Sequence, residues 1–147
     1  MNHRRIIVTS SLSLVLLGRA ASASAPPGRY TVSSGTVYDM RTKLTWQQAT
    51  APGTYTRPNA VSYCAGLSLQ GSSWRLPTFK ELLTILDVTV TTPHAIDDTA
   101  FPQSQSDNYW SATPVAGSPG DSWVVPFYYS LTYNYPNSST YYVRCVR

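Results

Sequence analysis

The sequence contains two cysteines, Cys64 near its middle and Cys145 close to its carboxyl-terminal end. In an exported protein, two cysteines are most simply explained by one disulfide. A Cys64–Cys145 bridge would close a loop that contains most of the chain, and the chain-entropy model gives such a crosslink about 4–5 kcal/mol of stabilisation. The alternative is a pair of buried free thiols, which is typical of cytosolic proteins. The compartment therefore decides between a disulfide and free thiols, and an oxidising compartment outside the cytosol favours the disulfide.

The amino-terminal segment has the three parts of a secretory signal peptide. Arginines precede an apolar run over residues 6–17, and small residues with the spacing of a cleavage site follow it. We expect cleavage after Ala23, because a cut after Ala25 would be followed directly by Pro26. The apolar run is shorter than the roughly 20 residues that a membrane-spanning helix needs. The sequence therefore predicts a protein without a membrane span that is secreted, periplasmic or displayed at the cell surface.

Loss of residues 1–23 would also change the charge of the protein. Of the 11 Lys and Arg residues, three lie in this segment, which leaves eight to face seven Asp and Glu residues. No run of like charges remains, so binding to nucleic acid is not expected. Residues 24–29 are interpreted as a short linker, and residues 30–147 as a single domain of ordinary size.

The local sequence signals predict two helices followed by a strand-rich final third. Thr56 and Pro58 are typical of a helix start, and Gly66 of its end. A second helix follows Thr78, which forms a capping box with Glu81 ahead of apolar residues at helical spacing. Strands are predicted over residues 36–39, 44–47, 109–113, 122–129 and 141–146. This pattern indicates an α+β fold with two helices packed on small antiparallel sheets and a disulfide from the first helix to the last strand.

An ordered series of short motifs covers nearly all of residues 30–147. It consists of G-x-V-x-D from Gly35, L-T-W-Q from Leu44, Y-C ending at Cys64, W-R-L-P-T-x-K-E-L from Trp74, then A-F-P, Y-W-S and the terminal Y-V-R-C-V-R. In this order the motifs resemble the Lcl C-terminal domain family, named for the binding domain of a bacterial collagen-like adhesin. The resemblance implies a C-type-lectin-like α+β fold, extracellular display, and adhesion to sulfated or other glycans in the named member.

One residue departs from the family pattern, because Lys43 stands where the family usually has glycine. A left-handed backbone conformation is strained for a residue with a side chain. Lys43 must therefore either accept that strain or form another type of turn.

Neither a cofactor nor a catalytic centre is indicated by the residues. Calcium-dependent lectins of the wider fold use E-P-N or Q-P-D with W-N-D triplets, and the sequence contains none of these. Asp97, Asp98, Asp107 and Asn108 have oxygen ligands to offer, but their spacing fits no dedicated calcium loop, so turn capping is the preferred interpretation and calcium stays an open alternative. His94, the one histidine outside the signal segment, has no accompanying nucleophile motif. We therefore predict that the protein is not an enzyme.

The segment 127–142 is the predicted binding region, because it holds six of the eleven tyrosines interleaved with asparagine and serine. Tyrosine offers a large contact area with two side-chain torsions, and amides and hydroxyls give adaptable hydrogen bonds. The predicted ligand-binding residues are Tyr128, Tyr129, Ser130, Tyr133, Asn134, Tyr135, Asn137 and Tyr142. We expect Tyr133 and Tyr135 to be exposed, whereas alternation with Cys145 places Tyr141 in the core.

These features favour a secreted or surface binding module for an extracellular glycan or protein. One alternative is a structural subunit of an envelope or extracellular assembly, with the tyrosine-rich strand buried between copies of a homo-oligomer. Another is a variable ligand-binding protein of a diversity-generating retroelement, which segment 127–142 resembles in composition. A hydrolase or oxidase is the least favoured reading.

Overall fold

The computed structural model describes residues 23–87, 95–128 and 132–147. Within these ranges the chain forms six strands and two helices. In chain order they are β1 (Tyr30–Ser33), β2 (Thr36–Asp39), β3 (Thr45–Gln47), α1 (Arg57–Ala65), α2 (Phe79–Thr84), β4 (Asn108–Val115), β5 (Ser118–Pro126) and β6 (Tyr133–Pro136). The predicted α+β class is confirmed. The predicted signal segment lies outside the described residues except for Ala23.

The first sheet is antiparallel and has the strand order β1-β2-β3. Val37 and Trp46 pair at its centre, and both side chains are fully buried. Beyond β3 the sheet is extended by the carboxyl-terminal residues, because the Gln47 N–H donates to the Cys145 carbonyl and Thr45 exchanges two backbone hydrogen bonds with Arg147. The last residues of the chain are therefore held at the edge of this sheet.

The turn between β2 and β3 places Lys43 in the left-handed conformation. Of the two expectations for this residue, a strained left-handed backbone or another type of turn, the structure has the first. Its φ is +63°, and its N–H donates to the Asp39 carbonyl at 2.8 Å. This conformation costs a residue with a side chain about 1–2 kcal/mol. The turn thus has a backbone conformation that glycine would adopt at little cost, but with a lysine in that position.

The second sheet is antiparallel, with the order β4-β5-β6 and a register shift in β4 next to Pro114. Helix α2 packs against β4 and β5. The Phe79 N–H donates to the Thr113 hydroxyl at 3.0 Å, and the Phe79 ring contacts Trp123 with ring centroids 5.8 Å apart. The predicted strands at residues 109–113 and 122–129 correspond to β4 and β5, although β5 begins earlier, at Ser118, and ends at Pro126.

The two helices begin differently, although both were predicted to have a threonine cap. Thr56 precedes α1 with an extended backbone, but its side chain makes no capping hydrogen bond there. At α2 the predicted capping box is confirmed, because the Thr78 hydroxyl accepts from the Glu81 N–H at 3.2 Å and the Glu81 carboxylate accepts from the Thr78 N–H at 2.7 Å. Glu81 also forms a bidentate ion pair with Arg75, at 2.6 and 2.8 Å. Leu82 anchors this short helix in the core.

The disulfide is confirmed, and it joins α1 to the end of the chain. The two sulfur atoms are 2.01 Å apart and the Cα atoms 5.5 Å apart. Both Cys64 and Cys145 are fully buried.

The carboxyl-terminal segment, residues 141–147, separates two hydrophobic clusters. The first cluster includes Trp46, Leu82, Phe101 and Tyr109, and the second includes Trp74, Leu76, Trp110 and Val124. Val146 belongs to the first cluster and Tyr142 packs against it, whereas Val143 and Cys145 belong to the second cluster and Tyr141 packs against that one. The segment is not the regular strand predicted over residues 141–146. It makes isolated β-bridges instead, because successive residues pair with different parts of the chain: Tyr55–Tyr141, Tyr109–Tyr142, Trp46–Val146 and Arg75–Val146. With core on both sides, this segment connects the two sheets.

Candidate functional site

Five half-buried tyrosines lie over the second cluster and together form a surface that we call the tyrosine face. Its members are Tyr55, Tyr63, Tyr133, Tyr135 and Tyr141. Ring centroids are 6.4 Å apart between Tyr133 and Tyr135, 4.9 Å between Tyr135 and Tyr141, and 5.1 Å between Tyr55 and Tyr63. Tyr55 and Tyr141 are joined by an antiparallel bridge with backbone hydrogen bonds of 2.9 and 3.0 Å. The tyrosine face therefore consists of a group of three contacting rings and a pair of contacting rings, which the backbone bridge between Tyr55 and Tyr141 joins.

Strand β6 supplies two members of the tyrosine face through its period-two alternation. Tyr133 and Tyr135 turn toward the second cluster, whereas Asn134 and Pro136 are exposed on the other side of the strand. The expectation that both tyrosines are exposed thus holds for only part of each side chain. Tyr141, which was expected in the core, is half-buried beside them.

Trp110 is the rigid support beneath the tyrosine face. Its side chain is fully buried, and its indole N–H donates to the Tyr55 carbonyl at 2.7 Å. Its ring also meets Tyr141 nearly edge-on, with centroids 5.2 Å apart. The backbone of Tyr55 and the ring of Tyr141 are therefore fixed by one side chain of the second cluster.

Two phenols of the tyrosine face, those of Tyr141 and Tyr55, are neutral at physiological pH because burial raises the pKa of each. Burial, together with the neighbouring Tyr135 hydroxyl, raises the pKa of Tyr141 to about 12. Burial also raises the pKa of Tyr55. The face consequently presents aromatic rings and phenolic hydroxyls that can donate hydrogen bonds.

The other predicted binding residues lie in different surroundings. Asn137 holds a turn, because its N–H donates to the Gly120 carbonyl, its side-chain amide donates to the Pro119 carbonyl, and its carbonyl accepts from the Arg57 N–H. Tyr128 is half-buried. Tyr129 and Ser130 lie outside the described residues. The predicted set is therefore only partly brought together on one surface.

Tyr142 is separated from the tyrosine face by the alternation of the carboxyl-terminal segment. Its ring contacts Tyr109 at 5.8 Å between centroids, on the side of the first cluster. There it lines a cleft of about 320 Å³ together with residues 50–53, Gln103 and Gln105. We call this second surface the Tyr142 cleft.

Sequence reasoning missed Tyr55 and Tyr63 because neither lies in segment 127–142. Tyr55 joins the face through its long-range bridge to Tyr141, which leaves no local signal. Tyr63 had a signal, because it is the neighbour of Cys64, and a Cys64–Cys145 disulfide brings that part of α1 close to the chain end. The Tyr63 hydroxyl is further held by the Gln47 side-chain amide at 2.9 Å.

The acidic residues near position 100 make contacts with the backbone. The Asp97 carboxylate accepts from the N–H groups of Thr99 and Ala100 at 2.9 and 3.0 Å, and from the Ala25 N–H at 2.7 Å. The Asp107 carboxylate accepts from the N–H of the next residue. No group of three or more His, Cys, Asp or Glu side chains that could hold a metal ion occurs within residues 23–87, 95–128 and 132–147. His94 lies outside these ranges.

The model of the Lcl C-terminal domain matches residues 35–147 of this chain. The chain belongs to the Lcl C-terminal domain family. The family match covers β2 to β6, both helices, the disulfide, the tyrosine face and the Tyr142 cleft. A comparison with curated proteins finds no match. Among the described residues, no helix of this Lcl C-terminal domain is long and apolar enough to cross a membrane.

Proposed function

We propose that the protein is an exported, non-enzymatic binding module that recognises an extracellular glycan or protein through the tyrosine face. The observation that carries this proposal is the surface of five half-buried tyrosines, in which three contacting rings and two contacting rings are joined by the Tyr55–Tyr141 bridge. Tyrosine is enriched in binding surfaces because a rigid, amphipathic ring provides both contact area and a hydrogen-bonding hydroxyl. Membership in a family named for the binding domain of an adhesin supports the same conclusion.

The way the tyrosines are held also favours binding. Each ring of the face is partly packed against the second cluster. Ordering a free side chain at an interface costs about 0.5–1.5 kcal/mol. Because these rings are already positioned, most of that cost is met in folding, and contacts with a ligand retain more of their free energy.

Export and the detailed fold are further parts of the proposal. The predicted signal segment and the disulfide, which is typical of oxidising compartments, support a secreted, periplasmic or surface location. The family resemblance and the attachment of the chain end to α1 and to β3 support a C-type-lectin-like arrangement of the α+β domain.

The test is ligand retention on glycan and extracellular-protein arrays by the parent and by Tyr133→Ala/Tyr135→Ala. We expect the double variant to lose at least ten-fold in retention. Tyr38→Ala is the matched control, because Tyr38 is also a half-buried strand tyrosine but lies in β2 of the first sheet. Circular dichroism must show that both variants are folded at the assay temperature.

Equal binding by the parent and the double variant would show that the tyrosine face is not the binding surface. A stable oligomer in light scattering, with these tyrosines protected from nitration, would favour the structural-subunit alternative instead.

A further inference from the structure

A buried cation lies behind the Tyr142 cleft. Arg144 is fully buried, and the ion pairs between described residues, Arg29–Asp39 and Arg75–Glu81, do not include it. Its guanidinium donates to the Gln48 carbonyl at 2.6 Å, and its Cζ lies 4.7 Å from the centre of the Phe101 ring.

The same guanidinium fixes both walls of the cleft. One Nη atom donates to the Thr50 hydroxyl at 3.1 Å and to the Ser104 hydroxyl at 2.8 Å. Thr50 belongs to the loop on one side of the cleft, and Ser104 lies between the two glutamines on the other side, Gln103 and Gln105. Arg144 therefore holds the two walls of the cleft in place, although the loops that contain Thr50 and Ser104 are not part of a helix or strand.

The hydrogen bonds next to the cation favour one direction for the hydrogen bond between the Thr50 and Tyr109 hydroxyls. Tyr109 is fully buried, so its hydroxyl proton needs a protein acceptor, and among the described residues the Thr50 oxygen fills this position at 2.8 Å. The Tyr109 oxygen itself accepts from the Gln105 N–H at 2.9 Å. Thr50 then accepts from both Arg144 and Tyr109, which uses its two acceptor positions. Its own proton is left to donate into the cleft, polarised by the cation behind it.

The lining of the cleft has a definite chemical character. Among the described residues, its lining includes the Tyr142 side chain, the exposed side chains of Gln103 and Gln105, and the Thr50 hydroxyl, and none of these lining residues is charged. A ring face suits the C–H face of a sugar, and amides can both donate to and accept from sugar hydroxyls. At about 320 Å³ the cleft is at the small end of ligand sites, which span about 300–1,000 Å³. This volume suits one or two sugar units.

We propose that the Tyr142 cleft is a second binding site, which takes a neutral pyranose unit whose oxygen accepts a hydrogen bond from the Thr50 hydroxyl. The site is independent of the tyrosine face, because Tyr141 and Tyr142 lie on opposite sides of the carboxyl-terminal segment. It binds in its own right whether or not the tyrosine face has a ligand.

The test is saturation-transfer NMR of the disulfide-bonded protein with the methyl α- and β-pyranosides of glucose, galactose and mannose, followed by titration of any that bind. We expect at least one pyranoside to bind. Gln103→Ala should weaken it at least five-fold. Gln70→Ala is the matched control, because both glutamines are exposed and both have a positive φ, 61° and 48°. Thr50→Val should weaken binding similarly, whereas Thr50→Ser, which keeps the hydroxyl, should retain it.

The outcomes separate this site from the proposed function. Tyr133→Ala/Tyr135→Ala should leave pyranoside binding unchanged. The proposal is overturned if none of the six pyranosides binds, if Gln103→Ala and Thr50→Val bind as the parent does, or if the double tyrosine variant abolishes pyranoside binding. Binding restricted to an acidic sugar such as glucuronic acid would overturn the neutral-ligand assignment.

Discussion

Replacing Arg144 by methionine tests the most unusual interaction in this fold. Methionine fills a similar part of the space but removes the charge and all the donors. We expect a large loss of stability, because the guanidinium supplies hydrogen bonds to two backbone carbonyls and two hydroxyls that no other group replaces. The four acceptors belong to Gln47, Gln48, Thr50 and Ser104.

The magnitude follows from which acceptors lose a partner. Thr50 keeps its hydrogen bond with Tyr109, and the Ser104 hydroxyl still donates to the Phe101 carbonyl. The carbonyls of Gln47 and Gln48 lose a charged donor, and an unsatisfied buried acceptor costs about 1–3 kcal/mol. Arg144→Met also removes the free-energy cost of burying a charged group, and this gain offsets part of the loss.

We therefore expect Arg144→Met to lower the free energy of unfolding by about 3 kcal/mol, a large share of the roughly 5–15 kcal/mol typical of a domain. Arg144→Lys should be at least as harmful, because it keeps a buried charge but has fewer donors and lacks the planar fork. The same burial lowers the pKa of Arg144 to about 10, which leaves it protonated at neutral pH.

The measurement is urea unfolding followed by tryptophan fluorescence, with the disulfide intact. Arg41→Met is the control, since it removes an arginine that is exposed on the β2–β3 turn, and we expect a change below about 0.5 kcal/mol. The reasoning is refuted if Arg144→Met matches this control. It is also refuted if lysine is clearly better tolerated than methionine, because the charge rather than the hydrogen-bonding geometry would then matter.

Three further changes have expected outcomes. Reducing the Cys64–Cys145 disulfide, whose partners are 81 residues apart, should cost up to about 4–5 kcal/mol in urea unfolding; a loss below about 1 kcal/mol would contradict the loop-closure account. Lys43→Gly should raise the thermal midpoint slightly, with a gain of at most about 1 kcal/mol. Glycine removes the backbone strain at φ +63°, and we expect this gain to exceed the cost of the greater conformational entropy that glycine gives the unfolded chain. The hydrogen bond from Arg75 lowers the pKa of Glu81 from 4.5 to about 2. Stability from this pair is therefore present above pH 4.5 and is lost as the pH falls toward 2, and Glu81→Gln should flatten that part of the pH–stability profile.

The features that could be predicted from the sequence have short-range or covalent signals. Thr78 and Glu81 are three residues apart, so the capping box of α2 depends only on local chemistry. Cys64 and Cys145 left one possible intramolecular pairing. The family resemblance around Lys43 left its turn either left-handed or of another type, and the structure has the left-handed conformation.

The features that could not be predicted depend on partners far away in the chain. Residues 141–146 contain an alternation, but both sides of the segment are buried, so alternation did not separate a core side from a solvent side. Arg144 is the clearest case, because its sequence position facing away from Cys145 gave no sign that it is buried on the side of the first cluster, against Phe101. Tyr55 could not be predicted either, because its position on the tyrosine face depends on a long-range bridge to Tyr141.

The carboxyl-terminal segment connects these observations to function. Its alternation sends Tyr141 to one surface and Tyr142 to another, while the residues that fix the segment, Arg144 and Cys145, are fully buried and contact neither surface from the solvent side. The two proposed binding surfaces thus share one backbone support but use separate side chains. Because the fold depends on buried residues and the proposed recognition depends on half-buried and exposed ones, substitutions at Tyr133 or Gln103 should change binding at one proposed surface and leave the other intact. Loss of Arg144, by contrast, should weaken the fold and disturb both walls of the Tyr142 cleft together.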